Sequence, residues 1–307
     1  MPNEIVILGY GPVGRATVAA LLAKGRAVRV AQRSRPADLA AAVPFTPCDV
    51  LDARSVRTAI EGAAQVAVAI GFEYLGAVWG KVWPVAMQNL LDACAAENIR
   101  MVFLDNLYMY GPQHAPLVET MPLSDRKRKP AARARITRMW QQDRRVRVAA
   151  LRAPDFYGPG VLLSHVGETG LAAIARGKAA SFVFPPDQPH DFAYIPDIGR
   201  AMVSLLDADD AAFGQVWHMP CAPTLTSRQI LAMGARAAGV PLKLRNIPPF
   251  LLDMLAPFVP FLRELREMRF QWDRPYRVDA AKWKARFWSD ATPFETGVAA
   301  TIASFRG

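Results

Sequence analysis

The chain has 307 residues, enough for one large domain or two lobes around a substantial core. Its 52% hydrophobic and 21% charged residues are those of a folded globular protein and exclude a disordered or fibrous one. The net charge of +10 raises the question of an anionic partner, and the three isolated cysteines (Cys48, Cys94, Cys221) exclude a disulfide framework or a cysteine zinc site.

The N-terminus enters a strand pattern at once, with no basic segment followed by a long apolar run, so no signal peptide is expected. Together with the isolated thiols, this predicts a cytoplasmic protein. The first pattern opens at Glu4 and reads E-I-V-I-L-G-Y-G-P-V-G-R. Ile5 to Leu8 is a short apolar run, as in a strand buried on both faces. Gly9, Tyr10, Gly11, Pro12, Val13 and Gly14 then form G-x-G-x-x-G, and Arg15 to Lys24 is an Ala/Leu-rich helix closed by Gly25. In that setting Gly9 allows a tight turn, Gly11 lets the backbone approach a pyrophosphate, and Gly14 lets the helix pack on its strand. The helix start and its dipole attract the diphosphate, so the loop predicts a dinucleotide site.

Ala27 to Ala31 is the second strand. An NAD-preferring site places Asp or Glu about 20 residues after the loop, on the ribose 2′-hydroxyl. This chain has Gln32, Arg33, Ser34 and Arg35, which do not repel a 2′-phosphate and can hold it through guanidinium hydrogen bonds. NADP is therefore the expected cofactor, with NAD as the alternative.

Phe45 to Cys48 reads as a short strand, Ala53 to Glu61 as a helix, Gln65 to Ile70 as a buried strand ending at Gly71, and Trp83 to Ala96 as a helix. Met101 to Leu104 is the next strand, Arg133 to Gln142 a helix, Val146 to Leu151 a strand, and Arg152 to Gly160 a loop. This alternation predicts an α/β fold with a doubly wound parallel sheet of Rossmann type, whose ligands lie beyond the carboxyl ends of the strands. After Gly160 the alternation weakens and proline-rich loops separate short elements. Residues 1–160 are read as the dinucleotide-binding domain and 161–307 as mainly a smaller substrate lobe, with some segments returning to the Rossmann core.

The charge is uneven. Arg126 to Arg147 holds ten Lys/Arg and one acid, Asp143, for a local charge of +9. With one aromatic residue, Trp140, and no nucleic-acid motif, a solvated helix face or attraction of an anionic cofactor is favoured over a nucleic-acid surface. Ile247 to Leu262 is the most membrane-like stretch, but it holds four prolines and Asp253 and is too short to span a bilayer. Helices of the second lobe are expected there, with no membrane partner and no metal.

In this order the motifs resemble the extended short-chain dehydrogenase/reductase family, the NAD(P)-dependent epimerase/dehydratases. The resemblance rests on the glycine turn, Asp49-Val50-Leu51-Asp52, Ala69-Ile70-Gly71, Tyr110-Gly111, Tyr157-Gly158-Pro159-Gly160, His190 to Asp197, and Thr292 to Gly297. It implies cofactor contacts from Asp49, Val50, Ala69, Ile70, Gly71 and Pro154, a small-molecule substrate, and room for a homodimer. The glycine turn is one residue shorter than the family's G-x-x-G-x-x-G.

The resemblance also implies a catalytic set, from which this chain departs. The family's substrate-binding Ser falls on Asn106, which can still donate a hydrogen bond. Its Tyr-x-x-x-Lys pair falls on Lys129 and Arg133. Arg133 is suited to hold the ribose but does not deprotonate, and Lys129 can act as the acid only if burial and neighbouring arginines depress its pKa. The Lys127–Arg135 stretch is expected to be partly exposed, which leaves Tyr108 or Tyr110 as the proton-transferring residue. Asp155 stands where many relatives have Asn, and its charge disfavours a diphosphate; His190 replaces an Arg and is read either as a site residue or as a packed surface histidine. The expectation is an NAD(P)-dependent oxidoreductase or epimerase-like enzyme acting on a small carbonyl or hydroxyl compound that is not a nucleotide sugar. The alternative is an NADP-binding sensor of the same fold that has lost catalysis.

Overall fold

The structure, a computed structural model, describes residues 4–306. The chain divides into two units. Unit 1 comprises the described residues through 110, with 122–152 and 198–217, and unit 2 the remainder. The first long division thus falls after Arg152, and residues 198–217 return to the first unit.

Unit 1 is a seven-stranded sheet with helices on both faces. Its elements are β1 (Ile5–Leu8), α1 (Pro12–Ala23), β2 (Val28–Gln32), β3 (Phe45–Pro47), α2 (Ala53–Ile60), β4 (Gln65–Val68), α3 (Gly76–Ala96), β5 (Arg100–Asp105), α4 (Arg128–Gln142) and β6 (Val148–Arg152), with an edge strand Gln215–His218. The order is Gln215–His218, β6, β5, β4, β1, β2, β3, and the pairings among β1 to β6 are parallel. The order reverses beside β1, which opens a crevice at the carboxyl ends of β1 and β4.

Alternation along β1 decides which layer each residue joins. Val6 and Leu8 share a core with α2, α3 and α4, including Val56, Trp83, Leu90 and Ile136. On the opposite face, Ile7 lies under α1, where an added Gly14 Cβ would sit 3.8 Å from its Cγ2. Helix Ile195–Leu206 packs on α1 at Gly199, where a Cβ would fall 2.6 Å from the Ala16 carbonyl carbon. Asp52 caps α2 by accepting from the N–H groups of Arg54 and Ser55. Two helices begin earlier than the pattern predicts: α3 at Gly76, carrying Pro84 inside it, and α4 at Arg128.

Unit 2 is built from short elements. Strand β7 (Asp155–Tyr157) pairs in parallel with Phe192–Tyr194, and two further two-stranded sheets join Pro189–His190 with Leu225–Thr226 and Ala180–Phe182 with Leu244–Asn246. Helix Ser227–Ala238 starts on a Thr226/Gln229 capping box and stops at Gly239 in the left-handed conformation. It shares a core with helix Phe294–Ser304 through Ile230, Leu231, Val298 and Ile302. The tail motif is anchored where Thr292 donates to Asp197 from both its N–H and its hydroxyl, each at 2.8 Å. Residues Ile247 to Leu262 form parts of two short helices, Pro249–Leu255 and Pro260–Met268, and no helix among the described residues is long and apolar enough to cross a membrane.

Candidate dinucleotide site and the buried ion network

The glycine loop gains its shape from three different requirements. Gly9 has φ +93°, and a Cβ there would meet the Ala69 carbonyl oxygen at 2.7 Å. A Cβ on Gly14 would lie 2.0 Å from the Gly9 oxygen, so these two glycines close the loop on itself and on the end of β4. A Cβ on Gly11 would have nothing within 4 Å, because Gly11 faces open space. Helix α1 has Pro12 in its first turn and no side-chain cap, which leaves the helix start for an anion.

That open space is a groove of about 660 Å³ at the carboxyl edge of the sheet, within the size range of ligand sites. Its lining includes Gly9, Tyr10, Gly11, Gln32, Arg33, Ser34, Asp49, Val50, Ala69, Ile70 and Gly71, all of which the sequence reading assigns to the cofactor. Ala31, Cys48, Leu51, Phe72, Glu73 and Val78 line it as well and lie outside that reading. Position is the signal that finds most of them, since all but Val78 adjoin a strand end or another groove residue. Val13 and Gly14 lie buried behind the loop. Pro154 belongs to unit 2 and is not part of the groove lining.

The end of β2 is partly committed to the loop. Gln32 accepts from the Tyr10 N–H through Oε1 at 2.9 Å and donates through Nε2 to the Ser34 carbonyl at 2.9 Å. Arg35 donates to the Ala40 and Val43 carbonyls, and Arg15 pairs with Asp38 at 2.6 Å. Arg33 is exposed and lines the groove. Asp49 caps its own turn by accepting from the Leu51 N–H at 3.0 Å. Burial pushes the Cys48 thiol up to about 11, so it stays protonated and inert at neutral pH.

At the ends of β5 and β6 the structure builds a buried ion network. Asp105 and Arg152 are register partners on adjacent parallel strands, so their side chains share a face. Arg133, from α4, covers that face. Its Nε donates to Asp105 Oδ1 at 2.8 Å and its Nη2 makes a short bond to the same oxygen, while Arg152 Nε lies 3.4 Å from Oδ2. Arg152 also donates to the Tyr110 hydroxyl at 2.6 Å and to Thr137 at 3.0 Å. Asp105, Arg133 and Arg152 are each no more than 2% exposed. The Arg133 guanidinium further sits over the Trp83 ring, 4.2 Å from its centre.

These contacts redistribute the expected catalytic residues. Lys129 and Arg133 are both buried, so the expectation of a partly exposed stretch fails at these two positions, although Lys127, Arg128 and Arg135 are exposed. Helical periodicity explains this, since 129 and 133 lie four apart on the face of α4 that packs inward. Arg133 is held by a carboxylate, and Tyr110 is buried with its hydroxyl accepting from Arg152, so both face the network. Asn106 accepts from the Tyr108 N–H at 3.0 Å through Oδ1, which leaves its amide N–H₂ to serve as a donor. Tyr108 is half-buried and stacks on Trp79 at 5.9 Å. In the basic segment, Arg138 pairs with Asp125, Arg145 with Asp143 and Asp92, and Arg147 with Asp210, which neutralises part of its charge.

In unit 2, His190 is buried rather than a surface residue. Its Nε2 lies 3.1 Å from Asp155 Oδ2, which also accepts from the Trp272 indole N–H at 2.8 Å. Burial acts to raise the Asp155 pKa, but His190, His165 and the Trp272 hydrogen bond together hold it below the ordinary value. Asp155 is therefore an ionised carboxylate at neutral pH. No cluster of His, Cys, Asp or Glu among the described residues could hold a metal.

A seven-stranded, doubly wound sheet with a glycine-loop groove at its switch point gives unit 1 a Rossmann-like α/β fold. The profile of the NAD dependent epimerase/dehydratase family matches residues 5–218, and the chain belongs to that family. No curated protein matches it. Among solved structures, it is similar to the UDP-glucose 4-epimerase of Thermus thermophilus in complex with NAD, with TM-score 0.78, 20% identity, and 99% of each chain covered. It is also similar to DesIV, the dTDP-glucose 4,6-dehydratase of Streptomyces venezuelae with NAD and TYD bound, with TM-score 0.80, 17% identity, and coverage of 99% of this chain and 97% of that one. The UDP-glucose 4-epimerase of Thermotoga maritima with UDP-glucose gives TM-score 0.80 at 16% identity, covering 99% and 98%. At these identities the likeness is one of fold.

Proposed function

We infer that the chain is a dinucleotide-dependent oxidoreductase or epimerase-like enzyme that acts on a small carbonyl or hydroxyl compound, with NADP as its preferred cofactor. The carrying observation is the open face of Gly11 at an uncapped helix start, in a groove lined by the ends of β1, β2, β3 and β4. When bound, the nicotinamide supplies or accepts a hydride. The chain's own residues bind and orient. The N–H groups of the first turn of α1 face the diphosphate, and Asp49 and Val50 flank the adenosine end. Arg33 and Ser34, following Gln32 where an NAD site has its carboxylate, suit a 2′-phosphate. Gln32 steadies the glycine loop through Tyr10.

Asn106 supplies an amide donor for the substrate oxygen. The reading of a substrate other than a nucleotide sugar rests on the resemblance, in which Asp155 stands where many relatives have Asn. The isolated thiols support a cytoplasmic setting. A second reading, an NADP-binding sensor without turnover, draws on the burial of Arg133 against Asp105, which withdraws it from a ribose-holding role. One assay separates the two. NADPH and NADH are titrated by fluorescence, and transfer from 4-deuterated NADPH to a panel of small aldehydes and ketones is then followed. Tight NADPH binding with transfer supports the enzyme, binding without transfer supports the sensor, and competition by UDP-glucose overturns the substrate assignment.

A further inference from the structure

The ion network holds Arg133 of the α4 motif against Asp105, and beside the motif's other member, the buried Lys129, stands a phenol from outside it. The loop after β4 contributes Phe72 and Glu73 to the groove lining, and the next residue is Tyr74, half-buried. Its hydroxyl lies 3.4 Å from that of Tyr108, which comes from the loop after β5, the adjacent parallel strand. The Lys129 Nζ lies 4.3 Å from the centre of the Tyr74 ring. Trp79 fixes both phenols, meeting Tyr74 edge-on at 5.6 Å and stacking on Tyr108.

We propose that Tyr74 is the proton-transferring phenol of this site, with Tyr108 as its relay and Lys129 as a positioning cation. The proposal rests on the enzyme reading above. The family draws a phenol and an ammonium from one helix, as Tyr-x-x-x-Lys; this chain rebuilds the same two groups from two elements. The ammonium comes from α4, at the register of the family's tyrosine, and the phenol from the β4 loop. Parallel pairing of β4 with β5 brings the two loops together at the carboxyl edge of the sheet, where Tyr74 follows directly on the groove-lining Phe72 and Glu73 without lining the groove itself. The ammonium restrains the ring and supplies positive potential where charge develops on the phenolic oxygen. For carbonyl reduction, the Tyr74 O–H bond breaks and its proton bonds to the substrate oxygen, while the carbon of that carbonyl takes hydride from the reduced dinucleotide. The product is an alcohol and the oxidised dinucleotide, and the phenolate regains a proton through Tyr108 from solvent. Tyr110 is not an alternative, because its buried hydroxyl is bound to Arg152.

The test uses the full chain, NADPH and the same carbonyl panel. Tyr74→Phe is expected to lower transfer by about a hundredfold or more, the usual contribution of a general acid, while its NADPH affinity stays within about twofold of wild type. Tyr108→Phe should lose less. Lys129→Met should lower the rate and displace its pH profile, a change that a purely structural lysine would not produce. If wild type transfers hydride and Tyr74→Phe does so equally well, the proposal falls and the enzyme reading stands. Loss of NADPH binding in Tyr74→Phe assigns the residue to the groove wall and also overturns the proposal. If wild type binds NADPH and transfers nothing, the enzyme reading itself fails.

Discussion

Replacing Asp105 by Asn keeps the shape of the side chain and removes its charge, which makes it a sensitive probe of the network. Asp105 accepts from Arg133 through two nitrogens, lies within reach of Arg152, and accepts from the Asn106 N–H at 2.8 Å. In the variant, two guanidiniums that are 2% and 1% exposed lose their carboxylate, and the amide N–H₂ turns a donor toward donors. Removing one partner of a buried pair costs about 3–5 kcal/mol. Trp83 still faces Arg133, and a desolvated cation–π contact retains up to about 2 kcal/mol, so the lower end, about 3 kcal/mol, is expected. That is a rise of more than about a hundredfold in the unfolded fraction, in a protein whose total stability is about 5–15 kcal/mol. Urea denaturation followed by tryptophan fluorescence should show a lower midpoint with an unchanged slope. The exposed pair Asp125–Arg138 serves as a control, and Asp125→Asn should leave the midpoint where it is. A loss below about 1 kcal/mol for Asp105→Asn would falsify the account of a desolvated, mutually dependent network.

Three further outcomes are expected. Gly11→Val should fold normally and lose dinucleotide binding, since its side chain enters only the groove, whereas Gly14→Ala should lower the melting temperature because its Cβ collides with the Gly9 carbonyl; the reverse pattern would refute the loop assignment. Arg33→Ala should reduce the preference for NADPH over NADH by about ten- to a hundredfold, the value of a guanidinium–phosphate contact of roughly 1.5–3 kcal/mol, and equal affinities in wild type would count against the 2′-phosphate site. Stability should fall on acidification below pH about 6.5, because burial, and then His190, push the His165 pKa down to about 3 against the pull of Asp155, so that the unfolded chain takes up a proton the folded one does not. That contribution is complete above the unfolded value and is lost toward pH 3, with Asp155, lowered in the fold, acting in the same direction at the acid end. A His165→Phe chain with the wild-type slope of urea midpoint against pH would remove this residue from the explanation.

The first strand, the glycine loop and the helix behind it are readable in the sequence because their constraints are local. Ile5 to Leu8 is apolar on both faces, Gly9 and Gly14 answer a turn that only a missing Cβ permits, and the groove lining follows strand ends that periodicity locates. The same local reasoning finds Asp52 and the tail at Thr292 only as motifs, since the anchor of the tail, Asp197, lies 95 positions away. Burial on α4 escapes local reasoning for a related cause. A run of ten cations reads as solvated, yet Lys129 and Arg133 fall on the inward face, where Tyr74, Trp83 and Asp105 receive them. That Asp105 meets Arg152 depends on the register of β5 against β6, that Tyr74 meets Tyr108 on the pairing of β4 with β5, and that Lys129 and Arg133 reach them on the packing of α4 against the sheet. Charge and periodicity show that a residue is buried or basic; only strand register and helix packing, set across the sheet by many contacts at once, decide its neighbours.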